Sequence, residues 1–163
     1  MSVSREWSNL PSVMRSQVQQ HQLEAPVDLA GLAKSFGLKV KGATLAPGIS
    51  GEIRPDGESY IIRVNRHDAP ARQRFTVAHE IAHFLLHRDQ IGNGITDDVL
   101  YRSGLSSRME AEANRLAADI IMPENLVERV KSNSESLNIE DILEHLSKRF
   151  GVSEAAMKIR LGL

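Results

Sequence analysis

The chain of 163 residues contains no cysteine, so it has no disulfide framework, and any metal site must be built from histidine, aspartate and glutamate. That absence also suits a reducing compartment. Aromatic residues are scarce at 4%, which leaves no signature of a deep aromatic pocket. An excess of one charge is missing too. The formal net charge of −1 denies the molecule the broad positive field that nucleic-acid binding draws on, so any DNA contact would have to be local. There is no long apolar run. Met1 to Met14 alternates polar and apolar residues without the apolar core of a signal peptide, and no later stretch could span a bilayer. These absences lead us to expect a cytoplasmic protein with no membrane partner. With 41% apolar and 25% charged residues, the remainder is that of an ordinary globular domain, and its length fits one domain over residues 1–163.

Hydrophobic periodicity gives a coarse map. Pro26 to Phe36 is expected as a short helix opened by Pro26 and stopped by Gly37. Ile49 to Arg54 and Ser59 to Asn65 read as strands of a hairpin turned by Pro55-Asp56-Gly57. Pro70 opens a helix to His87, with Ala78, Ile81, Ala82 and Leu85 on one buried face. Arg88 to Ser106, with Gly92, Gly94 and Gly104, reads as a surface loop. Helices are then expected over Ser107 to Met122, from Pro123 to about Lys131, from an Asn138 cap to Phe150, and from a Ser153 cap to about Leu161. Lys131 to Ser136 reads as a flexible connection.

The second of these helices carries His79-Glu80-Ile81-Ala82-His83. Histidines at i and i+4 project to one side of a helix about one turn apart, so both imidazoles can bind one zinc ion. Glu80 lies roughly 100° around from His79, beside such an ion, where its carboxylate can act as general base. The pattern points to hydrolysis of a peptide bond, with the zinc acting as Lewis acid and acidifying water.

A catalytic zinc needs a third protein ligand. His87 lies about 12 Å along the axis from His79 at 1.5 Å per residue, too far to share the ion, and is expected to pack or cap the helix end. The longer pattern H-E-x-x-H-x-x-G-x-x-H fails because Leu86 stands at the glycine position, which leaves Asp89 poorly placed. Glu110 and Glu112 remain. Ser107 and Glu110 have capping-box spacing, which would occupy Glu110 at the helix start. Glu112 has no such duty, so it is expected as the third ligand, with Glu110 as the alternative. The same donor set would accept manganese or iron(II).

Taken together, Ile49-Ser50-Gly51, Ile61 to Asn65, Arg72 to His83 and Glu112 to Pro123 resemble the ImmA/IrrE family of metallopeptidases. The likeness runs from about residue 26 to 123, leaving 124–163 as a helical C-terminal extension. It implies an α+β fold of the minimal gluzincin-like kind: a small twisted antiparallel or mixed sheet on the H-E-x-x-H helix, a helical C-terminal half, and the Glu112 helix closing the metal site. It further implies a site-specific endopeptidase that cleaves a helix-turn-helix repressor and thereby induces phage, mobile-element or stress genes. Substrate would join the sheet as an added strand, at Ser59 to Asn65 or its hairpin partner. Tyr101 is a candidate hydrogen-bond donor to the oxyanion, and Asp119 a candidate for orienting a histidine ligand. His67, His21 and His145 read as surface or structural residues.

A second class of function is DNA binding, because Leu146 to Ser153, with Met157 and Arg160, has helix-turn-helix spacing. Its second helix offers only Lys158 and Arg160 against Glu154, so a structural helix pair is the expectation. A metal-bound regulatory module acting without proteolysis is the remaining alternative.

Overall fold

A computed structural model describes residues 1–98 and 106–163. Among them, two short N-terminal helices, α1 (Arg5–Asn9) and α2 (Ser12–Gln19), precede α3 (Leu29–Ser35). Strands β1 (Lys39–Ala43), β2 (Ile49–Asp56) and β3 (Ser59–Asn65) lead into the long helix α4 (Pro70–Leu86). A 3-10 turn at Arg88–Gln90 and strand β4 (Ile95–Asp98) follow, then α5 (Ser107–Ile121), α6 (Glu124–Ser136), α7 (Ile142–Phe150) and α8 (Glu154–Leu161). The fold is α+β and mostly helical. No helix of the described residues is long and apolar enough to cross a membrane.

The sheet order is β1-β3-β2-β4. The β2–β3 hairpin is antiparallel and pairs Ile53 with Ile62, β1 joins β3 in parallel, and β4 joins β2 antiparallel. The sheet is therefore mixed, and the two hairpin strands are interior. Its edges are β1 and β4, so the expected substrate edge at β2 or β3 is corrected. Both hairpin strands have neighbours on each side, and β4 grows out of the stretch read as loop.

Helix α4 is the axis of the molecule. Every residue from Thr76 to Phe84 is buried, because the sheet covers one side of the helix and α3 and α5 cover others. Ile53, Ile62, Ala78, Ile81 and Ala82 are fully buried there. In the C-terminal helices, Leu146, Phe150 and Met157 enter the same buried cluster.

Local chemistry explains several displaced boundaries. Helix α3 starts after Asp28, whose carboxylate accepts from Gly31 N–H at 2.9 Å, so Pro26 lies outside the helix. The stretch expected as flexible, Lys131 to Ser136, continues α6, and Asn138 at φ 58° ends it rather than capping the next helix. The cap of α7 is Asp141, which accepts from Glu144 N–H at 2.9 Å. Gly151 and Ser153 take the expected positions between α7 and α8.

Two contacts set how the layers meet. Helix α1 is pinned to α5 by Arg115, which donates to both oxygens of Glu6 at 2.6 and 3.1 Å. Where the sheet meets α4, a Cβ on Gly51 would clash with Thr76 Cγ2 and stand 3.1 Å from the Arg63 carbonyl oxygen. A glycine lets β2 lie against α4.

Two predictions follow from these contacts. The Arg115 guanidinium holds the Glu6 carboxyl below its usual range, so the pair's stabilisation is present above about pH 4.3 and lost as pH falls through the lowered folded-state value. In urea melts, Glu6→Gln should be less stable than the parent at pH 7, with the gap closing towards pH 3. Gly51→Ala gains about 0.4–1 kcal/mol from a stiffer unfolded chain but meets an overpacking cost of about 1–3 kcal/mol, so it should lower stability. Adding Thr76→Ser, which removes the clashing methyl, should restore part of the loss. No recovery would show that the clash does not set the cost.

Candidate metal centre

Helix α4 turns His79, Glu80 and His83 inward on consecutive turns, all three fully buried. Helix α5 crosses it and brings Glu110 between the imidazoles, with Glu110 Oε2 at 3.1 Å from His79 Nε2 and Oε1 at 3.0 Å from His83 Nε2. Strand β4 adds the buried Asp97, whose Oδ2 is 3.6 Å from His79 Nε2 and 3.8 Å from His83 Nε2. Donor atoms of His79, His83, Asp97 and Glu110 all lie within 4.8 Å of one another.

Glu112 is elsewhere. Its carboxylate accepts from His87 Nε2 at 3.2 Å, and His87 Nδ1 lies 2.9 Å from His83 Nδ1. The structure thus sets the alternative, Glu110, beside the two imidazoles and holds Glu112, the expected third ligand, away from them, and the reason is a helix cap displaced by one residue. Ser106, not Ser107, caps α5 by accepting from Met109 N–H at 3.2 Å. Glu110 then falls one residue past the capping-box position and its side chain is released to the site. It sits in the first turn of α5, where the helix dipole favours a carboxylate. His87 does cap the end of α4, as expected, and has the further task of holding His83.

The hydrogen bonds around the imidazoles determine where their lone pairs point. Asn114 Oδ1 can only accept, so His79 Nδ1, at 2.8 Å, is its donor and the Nε2 lone pair faces the carboxylates. Glu112 likewise only accepts, so His87 donates from Nε2. A neutral His87 then accepts at Nδ1 from His83 Nδ1, leaving the His83 Nε2 lone pair also facing inward. Burial holds His87 below the usual imidazole range, against the pull of Glu112, which favours that neutral form. The result is lone pairs converging on lone pairs. The approach of His83 Nε2 to Glu110 is close without being a hydrogen bond, and this nitrogen and all carboxylate oxygens of Glu80 and Asp97 lack a partner among the described residues.

Such a cluster suits a cation, and two imidazole nitrogens with carboxylate oxygens form a donor set for zinc, manganese or iron(II). The residues fit a metal. Burial drives the Glu80 carboxyl well above the usual carboxylate range, with Asp97, Glu110 and Glu52 pushing the same way. Asp97 is raised as well, mainly by burial, while Glu80 and the two imidazoles oppose the shift. A divalent cation among the donors reverses this and favours the carboxylates.

Other residues singled out from sequence fall outside the centre. Tyr101 lies outside the described residues. Asp119 orients no histidine. It accepts from Ser4 N–H at 3.0 Å and Arg160 Nη2 at 2.8 Å, tying the N-terminus to α8, while Asn114 holds His79. His67 is exposed and meets Thr44 Oγ1 at 3.0 Å. In the helix-turn-helix-like pair, Arg160 is turned inward to Asp119, Met122 O and Ser2 O, which leaves Lys158 as the free cation of α8 among the described residues. A cavity of about 610 Å³ between α5 and α8 touches the site only through Asn114. Asp97 and Asn114 were missed. Asn114 follows Glu110 by one turn, a spacing that could have found it, whereas nothing local marks Asp97.

A buried His-Glu-His helix faced by a carboxylate from a second helix defines a metal-binding domain of the H-E-x-x-H class. The chain belongs to the family of IrrE N-terminal-like domains, whose sequence profile matches residues 33–162. It is 37% identical over 73 residues to the radiation response metalloprotease IrrE of Deinococcus deserti, a match covering 45% of this chain and 26% of that protein. The corresponding protein of Deinococcus radiodurans is 38% identical over 72 residues, covering 44% and 22%. The matched stretch thus spans about a quarter of the length of these relatives, at 26% and 22%. A Mycobacterium tuberculosis transcriptional regulator shares the fold at a TM-score of 0.58 and 18% identity, over 97% of this chain and 49% of that one.

Glu110 and Glu112 can be separated by metal analysis. Glu110→Gln should abolish stoichiometric metal binding, whereas Glu112→Gln should retain the metal but bind it about 10–100-fold more weakly in chelator competition, because it loses only the hold on His83. The reverse pattern would return the ligand to Glu112.

Proposed function

We propose that the chain is a zinc-dependent endopeptidase acting on a regulatory protein, with a helix-turn-helix repressor as its substrate. The observation that carries this reading is the fully buried carboxyl of Glu80, with no hydrogen bond of good geometry among the described residues, beside the donors His79, His83 and Glu110. A divalent metal held by those three residues supplies a Lewis acid that polarises a carbonyl and acidifies water. Glu80 takes a proton from the attacking water as the new C–O bond forms, and delivers it to the amide nitrogen as the C–N bond breaks. Asn114 and the His87–Glu112 pair keep the two imidazoles turned inward throughout. The fit of Glu80 to this task is one of polarity. Burial makes its carboxyl a good proton holder, and a divalent cation held by His79, His83 and Glu110 would favour the carboxylate form in which Glu80 accepts the proton.

Substrate is placed along β4. Among the described residues this strand pairs only with β2, so its outer edge can take an extended peptide through main-chain hydrogen bonds beside the donor cluster. Such bonding accepts almost any extended sequence. Selectivity then comes from contacts that a folded partner makes outside the cleft.

The test uses purified protein loaded with zinc and, as substrate, a helix-turn-helix repressor from a neighbouring gene. Cleavage should be at one bond, and should be much faster in kcat/KM than for a peptide spanning that bond. Glu80→Gln should fold and keep its metal while losing activity by a factor of at least about 10². Near-parental activity in that variant would remove Glu80 from the mechanism, and an intact repressor with the parent protein would remove the substrate.

A further inference from the structure

Asp97 has no role in the three-donor reading, yet it is the side chain nearest to filling the space that reading leaves open. It is fully buried beside the Glu80 carboxyl, neither of its oxygens meets the geometry of a hydrogen bond among the described residues, and Oδ2 points at the same two nitrogens that Glu110 approaches. A tetrahedral centre with donors at about 2.0–2.2 Å from the ion sets donor atoms roughly 3.3–3.6 Å apart. Glu110 stands at 3.1 and 3.0 Å from the imidazole nitrogens and Asp97 at 3.6 and 3.8 Å, values that bracket this spacing on either side. Donor atoms of all four residues lie within 4.8 Å of one another, close enough for one ion to meet each of them.

We propose that Asp97 is a fourth protein donor to the metal, and that with β4 placed as it is here the centre is closed. This rests on the reading of His79, His83 and Glu110 as the other three donors. A hydrolytic metal site keeps one position free for water, while a fully protein-ligated one is of the structural kind. Asp97 therefore sets a resting state in which the metal is held tightly and the fourth position is blocked.

The strand that carries Asp97 is the part of the sheet best suited to release it. Among the described residues it lies at the edge and pairs on one side only, with a register irregularity opposite Ile49 and Gly51. Asp97 itself is opposite Gly51, which has no side chain to hold it in place. Displacing this short strand leaves β1, β2, β3 and the two helices with the remaining donors intact. A peptide strand that pairs with the outer edge of β4 pulls on the element that blocks the metal, so binding and opening are coupled.

Cobalt(II) bound to the full chain provides the readout, by chelator competition and by visible absorption with and without acetohydroxamate, a probe for an open position. The parent protein should bind cobalt tightly and show little spectral response to the probe. Asp97→Ala should bind cobalt at least tenfold more weakly and respond strongly to the probe. Asp97→Asn, close to isosteric, should be weakened in the same direction and carries the measurement if the alanine variant does not fold, as judged by circular dichroism. Parental affinity and spectrum in both Asp97 variants would overturn the proposal, and so would parental affinity combined with lost peptidase activity, which would make Asp97 a partner of Glu80. Failure of the underlying reading looks different: Glu110→Gln and His83→Ala would then bind cobalt as well as the parent.

Discussion

Helices α4 and α5 pack directly on each other, and Ala78 and Ala82 on the first and Ala113 and Ala117 on the second are fully buried. Small side chains at i and i+4 on both partners let the helix axes approach closely. That approach is what allows a carboxylate as short-reaching as Glu110, and an amide as short as Asn114, to meet His79 directly. Gly51 has the same function on the opposite side of α4, where the sheet must come close enough for Asp97 to enter the cluster.

The resulting centre is costly in the absence of a cation. Glu80, Asp97 and Glu110 are all buried within one cluster, and each buried carboxylate without compensation costs several kcal/mol. Raised protonation of Glu80 and Asp97 relieves part of this, and the first turn of α5 relieves part at Glu110. Neither removes the opposition between imidazole lone pairs and carboxylate oxygens. Because a cation does, metal affinity and stability of the α4–α5–β4 region are one quantity seen from two sides. The bonds from Asn114 and from His87 and Glu112 are the fixed part of this arrangement, since they orient the imidazoles whether or not a metal is present.

What could be read before the fold was known follows from how long each pattern is. Helix α4 has seventeen residues and a proline start, and the hairpin has a strong turn, so both were legible with their boundaries nearly right. Strand β1 is mostly exposed and β4 has four residues, too short for a period of two to show. Losing β4 meant losing Asp97, because a residue assigned to a loop cannot be placed in a buried cluster. The Glu110 and Glu112 exchange is a finer failure. Ser106 and Ser107 are equally good caps by residue type, and the choice between them moves the capping-box position by one residue, about 100° around the helix. Only packing against α4 decides it.

The two ends of the chain bear on what the last helices can do. Asp119 lies one turn beyond Arg115 and accepts from Ser4 at the N-terminus and from Arg160 on α8. Arg160 in turn donates to the carbonyls of Met122 and Ser2, so three separate segments meet at one buried ion pair with 8% and 2% exposure of its side chains. A charge-assisted pair so enclosed is lost only with large cost, since freeing Arg160 for a phosphate would leave Asp119 buried and uncompensated. The helix-turn-helix spacing of α7 and α8 is therefore used for packing: Leu146, Phe150 and Met157 fill the core, and the arginine that a DNA contact would need anchors the helix to the back of α5. Since α5 also carries Glu110 and Asn114, the anchoring of both chain ends to its far half restrains the helix whose near half completes the metal centre.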